Sequence, residues 1–358
     1  MIFPIFLLNT VLLTLALINY LTMRRPLPAK EIQSAVTVLL PVRNEEENIS
    51  RVLDQLLNQK DLLHLTVIAI NDNSEDRTAE LLAKINNPRL VVIDAPPPPA
   101  GWIGKVNALQ SAFSHPAVKT AHYVVSIDAD VNFELDAIAR AVRTAEAAKL
   151  DFISPYPRQI ANTWAERLAQ PLLQWSWMST VLLRGAEKFP MSSTVICNGQ
   201  FLVMKANSLR AINGFESVAH QVLDDIELGR SFVRAGFIGA VIDGSALAAT
   251  RMYSDFHQLR AGYGKSLRSA FGGIVGSVIA TLFMAATAIL PFFAALSGDV
   301  IGVAALIAII STRIISAAAS GGRIGDSLLH PLSAILFIYL LYFSWANRGT
   351  VQWKGRTV

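Results

Sequence analysis

Charge and cysteine are what this chain has least of. A single cysteine, Cys197, stands in 358 residues, which excludes a disulfide framework and suits a reducing compartment. Only 16% of the residues are charged against 52% hydrophobic, and the mean hydropathy is +0.41. That is too apolar for an ordinary soluble enzyme and points to a membrane protein with a sizeable water-exposed part. The formal net charge is +4 with no basic run interleaved with aromatics, so nucleic-acid binding finds no support. No cysteine–histidine zinc spacing is present. His220 and His257 lack a convincing nucleophile partner, so no Ser/His/Asp or Cys/His arrangement competes.

Charge is missing in blocks. Met1 to Met23 has none, and Arg24, Arg25 and Lys30 follow. The stretch is long enough to span a bilayer, and its positive flank lies after the apolar run, the reverse of a cleaved signal peptide. An uncleaved anchor is expected, with residues 24 onward in the cytoplasm. Ser269 to Gly298 has no charge, Val300 to Gly322 only Arg313, and Ser327 to Asn347 none. Three more membrane segments are therefore expected, which would put the C-terminus outside. Arg348, Lys354 and Arg356 cluster there, against the positive-inside rule, so either one segment is re-entrant or interfacial, the Arg313 segment first among them, or the charge bias is overridden. The expected parts are an anchor over 1–23, a cytoplasmic domain over 31–268, a membrane region over 269–347 and a basic tail over 348–358.

Between the apolar ends, strand and helix patterns alternate about every 15 residues. Strands are expected over Ala35–Leu40 (stopped by Pro41), Leu65–Ile70, Leu90–Ile93 and the run ending at Ile127, with helices over Glu45–Gln59, Arg77–Ile85 and Val106–Phe113. This is the α/β pattern of a mostly parallel sheet, whose ligands bind at the carboxyl ends of the strands. Four polar groups fall there. Pro41-Val42-Arg43-Asn44-Glu45 follows the first strand, and Asn71-Asp72-Asn73-Ser74-Glu75-Asp76 the second. Either could be a helix cap; together they suit a nucleoside. Lys105 opens a helix after Gly104 and can meet a phosphate, although the spacing is not that of a P-loop. Asp128-Ala129-Asp130 leaves the fourth strand with two carboxylates on one side, able to hold a divalent cation against phosphates. Downstream, Asp224 and Asp225 open a helix, as dipole-favoured acids or as a general base. Trp164, Trp175 and Trp177 mark either an interfacial acceptor wall or a buried helix.

Taken in order, Pro-Val-Arg-Asn-Glu-Glu, Asn-Asp-Asn-Ser-Glu-Asp, Gly-Lys-Val-Asn-Ala-Leu, Asp-Ala-Asp and Asp-Asp-Ile-Glu-Leu resemble the membrane-bound family 2 glycosyltransferases of GT-A fold over roughly residues 35–265. The resemblance implies an inverting transfer from a nucleotide-diphosphate donor, with a UDP-sugar expected. It places Pro41, Arg43, Glu45 and Asp72 around the nucleoside, Lys105 near the base or diphosphate, and Asp128 at the ribose or metal side. Asp130 would ligate Mg²⁺ or Mn²⁺; Asp225 resembles the catalytic base and Asp224 its acidic neighbour. The family's first acid after the second strand is Asn71 here, and the Gln-x-x-Arg-Trp signature of polymer-making members is replaced by Arg251-Met252-Tyr253. These departures, with Lys265 and Trp353-Lys354-Gly355-Arg356, are more similar to carotenoid, hopanoid-associated and ceramide-type transferases acting on lipids. Arg251 or Lys265 could hold the diphosphate or face anionic lipid. The expected protein is integral to a bacterial-type plasma membrane, with a nucleotide-sugar donor, a lipid acceptor and no nucleic-acid partner. The alternatives are a polyprenyl-phosphate sugar synthase and a non-catalytic nucleotide-binding membrane scaffold.

Overall fold

The computed structural model describes residues 2–348 and the backbone of 352–353 and 356–357. The remainder of the basic tail, Lys354 included, lies outside the described residues. The chain divides into two compact units: residues 24–158 with 185–250, and residues 1–23 with 159–184 and 251–358. Residues 159–184 and 251–268, which the sequence pattern assigns to the soluble domain, are thus built into the second, helical unit.

The first unit is organised by a seven-stranded sheet. Its strands are β1 (Val36–Val42), β2 (Leu65–Asn71), β3 (Leu90–Asp94), β4 (Tyr123–Ile127), then, after the short β5 (Val131–Phe133), β6 (Phe152–Tyr156). A two-residue β7 (Arg158–Gln159) precedes β8 (Phe201–Lys205), β9 (Gly239–Asp243) and β10 (Ala248–Thr250). The order is β3-β2-β1-β4-β8-β6-β9, parallel except for β8, which runs antiparallel to both neighbours. Alternate residues feed opposite cores: Val36, Val38, Leu40 and Val42 pack on one face, Leu39, Ile68 and Ile70 on the other. Burial on both faces is why β1 and β2 read as continuous apolar runs rather than alternating ones.

The expectation that Pro41 stops β1 is corrected. The strand continues through it, with Pro41 opposite Ile70 and Val42 opposite Asn71. The Val36 amide and Val42 carbonyl bond towards β2. Pro41, one residue out of phase, therefore turns its missing donor towards β4, whose pairing with β1 ends at Leu39. No ladder bond is lost.

Chain direction explains where a ligand can enter. β1 has β2 on one side and β4 on the other, so the connections leaving their carboxyl ends diverge there and open a crevice. A helix, Asp224–Arg234, brings its first turn to the same unit, and its close seating depends on Gly229. A Cβ on Gly229 would lie 2.5 Å from Cys197 Sγ and 2.7 Å from Val195 Cγ1.

The helical unit contains, among the described residues, four helices long and apolar enough to cross a membrane: Ile2–Thr22, Ile274–Leu296, Val300–Ser320 and Ile324–Ala346. The segment carrying Arg313 is an unbroken helix of 21 residues. The N-terminal helix is bound into this unit by polar contacts. Asn9 Nδ2 donates to the Thr287 and Ala305 carbonyls at 2.9 and 3.0 Å, and Asn19 Nδ2 to those of Met178 and Val181 at 2.9 and 2.6 Å. The tryptophans resolve against a common wall: Trp164 is exposed, whereas Trp175 and Trp177 are buried within the helix Trp164–Thr180.

Gly229→Ala is expected to destabilise the protein by about 1–3 kcal/mol through overpacking. A lowered Tm of the detergent-solubilised chain checks this; an unchanged Tm would contradict the packing.

Candidate active site

The loops after β1 and β2 are stitched together before they can present anything. Asn44 and Asn73 both sit at φ 53°, the left-handed region that asparagine tolerates. Arg43 Nη1 donates to the Asp72 and Asn73 carbonyls at 2.9 and 3.0 Å, and its other nitrogen pairs with Glu75 at 3.2 Å. The Glu45 amide donates to Thr78 Oγ1 at 2.8 Å, and Glu75 N to Asn44 Oδ1 at 2.8 Å. Asp72 is buried, its amide bonded to the Val42 carbonyl at 2.8 Å. Asn71, where the family pattern has an acid, donates to Asp94 Oδ1 at 2.8 Å and so ties β2 to β3. Pro41 lies at the last rung of β1 but one, directly below this junction.

Lys105 and three carboxylates form the second cluster. Lys105, in the first turn of the helix Gly104–Phe113, places Nζ 2.5 Å from Asp128 Oδ1. Gly199 separates it from Asp225. A Cβ built there would lie 3.1 Å from Lys105 Nζ and 3.5 Å from Asp225 Oδ2. The Gly199 amide donates to Asp225 Oδ2 at 2.7 Å, and the Ile226 amide to Asp225 Oδ1 at 2.8 Å. Each oxygen of Asp225 therefore already accepts one backbone donor, which fixes the carboxylate's orientation.

The charges are strongly coupled. Burial and the adjacent Asp224 raise Asp225 to about 6, opposed by Lys105 and the two amides. Burial works against the Lys105 charge, but Asp128, Asp224 and Asp225 outweigh it and hold the ammonium above its ordinary value. The outcome is a permanent cation beside a carboxylate that changes protonation just below neutrality, a pairing suited to proton transfer next to developing negative charge. Cys197, pushed up by burial and by Asp225, stays a thiol and is no nucleophile.

Arg51 joins the two clusters, and nothing in the sequence pattern singles it out. Its Nη1 donates to the Val131 carbonyl at 3.1 Å and to Asn132; its Nη2 donates to Asn48 Oδ1 at 3.0 Å and the Ala129 carbonyl at 3.4 Å. Asn48 in turn donates to Glu45 Oε2 at 2.9 Å. Asp130 and Glu45 both support the Arg51 charge against its burial. A continuous chain of contacts thus runs from Glu45 through Asn48 and Arg51 to the Asp-Ala-Asp turn, while Lys105, paired with Asp128, acts on Asp225 through its charge. Thr250 Oγ1 bonds the Asp130 carbonyl at 3.3 Å and braces the turn from β10.

Among the described residues, no three His, Cys, Asp or Glu side chains gather to cage a metal ion. Asp130, with Asp128 two residues before it, offers an edge of hard oxygen donors instead. That set fits a Mg²⁺-like or Mn²⁺-like cation whose other positions are filled by phosphate and water. Arg251 belongs to the helical unit, where its Nη2 bonds buried Glu166 at 2.9 Å and the Ser254 carbonyl at 3.1 Å. Lys265 lies on the helix Phe256–Ala270 of the same unit.

Residues 37–212 match the family described as glycosyl transferase family 2. The 4,4'-diaponeurosporenoate glycosyltransferase of Staphylococcus aureus (strain USA300) is 24% identical over 355 residues, covering 93% of this chain and 91% of that protein. Its counterpart in strain N315 is 24% identical over 341 residues, covering 90% and 88%. Among solved structures, the mannosyltransferase PcManGT from Pyrobaculum calidifontis, in complex with GDP-Man and Mn²⁺, superposes with a TM-score of 0.52 at 16% identity, over 97% of this chain and 98% of that one. Residues 37–212 are a family 2 glycosyltransferase domain on a GT-A fold, and the chain is an enzyme of the glycosyltransferase class.

Proposed function

We propose that this enzyme moves a sugar from a nucleotide-diphosphate donor, UDP-linked, to a lipid acceptor in the membrane, with inversion at the anomeric carbon. The observation that carries the reading is the placement of Lys105 and Asp225 on either side of Gly199, with Asp128 paired to the lysine. The diaponeurosporenoate glycosyltransferases support a lipid-like acceptor, and PcManGT supports a nucleotide sugar with a divalent cation. Four helices of spanning length support an integral membrane protein, for which a cytoplasmic catalytic domain is proposed from the positive flank after residue 23.

In this reading the loops carrying Pro41, Arg43, Glu45 and Asp72 surround the nucleoside. Asp225, with Asp224 keeping its basicity high, takes the proton of an acceptor hydroxyl as that oxygen bonds to the anomeric carbon from the face opposite the leaving group. The bond to the diphosphate breaks, and the diphosphate departs with the electron pair. Lys105 meets that growing negative charge. Asp130, with Asp128 at its side, would hold a divalent ion, which would supply positive charge against the phosphates. Arg251 and Lys265 are proposed as further diphosphate or headgroup contacts.

A second reading has one specific observation behind it. The relatives' name denotes a carboxylate, and an acceptor that is already an anion, such as an acid or a polyprenyl phosphate, has no proton to give up. Replacing Asp225 by Asn separates the two. A hydroxyl acceptor predicts loss of turnover by roughly 10²–10⁴-fold with UDP binding intact; a loss of only a few fold supports the anionic acceptor.

For the wild type, kcat/KM is expected to fall as pH drops through about 6, because protonated Asp225 cannot accept a proton. Lys105→Gln removes the charge that opposes this shift and should move the limb to higher pH; a limb that stays in place would contradict the coupling. Arg51→Ala frees the Asp-Ala-Asp turn and should weaken Mn²⁺ binding in the presence of UDP by about tenfold, the loss of one to two charged hydrogen bonds. Calorimetric titration checks this, and unaltered affinity would remove Arg51 from the positioning of Asp130.

A further inference from the structure

The helical unit holds a buried charge that shares its acid with two other guanidinium groups. Arg313 is 1% exposed in the middle of an otherwise uncharged helix. Its Nη2 donates to the Arg167 carbonyl at 3.3 Å, while its Nη1 is buried and has no hydrogen-bond partner among the described residues. The carboxylate within its electrostatic reach, Asp326, is already gripped by Arg167, whose Nε lies 3.1 and 3.0 Å from its two oxygens. Arg323 bears on the same carboxylate. Three guanidinium groups therefore share one acid. Arg167 and Arg323 reach solvent or headgroups; Arg313 does not.

The groups around Arg313 are equally under-used. His330 is fully buried with both ring nitrogens unpartnered among the described residues, and it lies within electrostatic reach of Arg313. Its ring stands 4.7 Å from that of Trp175, whose Nε1 donates to the hydroxyl of Thr312, Arg313's neighbour, at 2.7 Å. Ser327 and Ser333 stand three residues before and after His330, on the face it shares, and both hydroxyls are buried without partners among the described residues. One buried orphan is an oddity; five such atoms on Arg313, His330, Ser327 and Ser333 mark a site that accepts something else. Four of these side chains can donate, and one imidazole nitrogen can accept from a serine. Donors in excess, with surplus positive charge, suit an oxyanion better than water. Depth agrees: Arg313 lies seven residues, about 10 Å, from the end of its helix, and Asp326 lies at the start of the next, within reach of an amphiphile's headgroup.

We propose that Arg313, His330, Ser327 and Ser333 form a binding site for the oxyanion, carboxylate or phosphate, of a membrane amphiphile. The site stands independently of the transferase chemistry. Its use for an acidic sugar acceptor rests on the proposed function, so the test reads binding rather than turnover. The full chain in a non-ionic detergent is titrated with cis-parinaric acid, a fluorescent polyene carboxylate, and with its methyl ester, following energy transfer from tryptophan. The wild type should bind the acid about tenfold or more tightly than the ester, the worth of a charged hydrogen bond. Arg313→Gln should bring the two within about twofold while UDP binding is retained. Displacement of the acid by dodecyl phosphate would admit phosphate headgroups, and displacement by dodecanoate alone would restrict the site to carboxylates; both keep an oxyanion site. Equal affinity of acid and ester for the wild type would overturn the proposal, and that comparison needs no variant to fold. A preference that survives Arg313→Gln would overturn it as well.

Discussion

The ion pair between Lys105 and Asp128, set against Asp225 across a residue without a side chain, is the constraint on which the rest of the catalytic unit depends. Burial and the neighbouring Asp224 push Asp225 towards its neutral form. Lys105 opposes that, and the acids in turn support the lysine's charge against its burial. Gly199 makes the arrangement possible: any Cβ there would press on the ammonium at 3.1 Å. The sheet order and the junction of β1 with β4 exist, functionally, to deliver these groups from distant parts of the chain to one place.

Around that centre the molecule is over-determined. The loops after β1 and β2 bond to each other's backbone before any ligand arrives, so a nucleoside would meet a preformed wall. Arg51 carries the connection from the Glu45 loop to the Asp-Ala-Asp turn, using both of its terminal nitrogens on carbonyl or amide oxygens. A lysine could not fork in this way. In the helical unit the logic is reversed. There Arg313, His330 and two serines are buried with hydrogen-bonding capacity left over among the described residues, which is costly in an apolar setting and is the reason to look for a ligand.

What was legible in the chain follows physical lines. The strand ends and their polar loops can be read because parallel strands must be apolar throughout and must end in turn chemistry; Lys105 and Asp128 follow from that, Asp224 and Asp225 only from acids opening a helix, and the structure brings Lys105, Asp128 and Asp225 together. Pro41 misled because a missing donor matters only if a neighbouring strand needs it, which is a fact about sheet order rather than about proline. Arg51 was invisible because an arginine between apolar helix positions looks like an ordinary solvated face. The helices over 164–180 and 256–270 carry enough charge to resemble soluble elements, yet they belong to the unit of the spanning helices. Trp175 resembles part of an interfacial wall because tryptophan's amphipathic ring suits either setting, and only the partner at its Nε1 reveals which.

The measurement closest to the central claim is the fate of label from a panel of radiolabelled nucleotide sugars incubated with membranes containing the chain and then extracted with organic solvent. Label from one donor should enter the organic phase, only with a divalent cation present, and not when Lys105 and Asp128 are both replaced by uncharged residues. Label that enters a polymer or a protein instead, or organic-phase label that survives the loss of that ion pair, would contradict it.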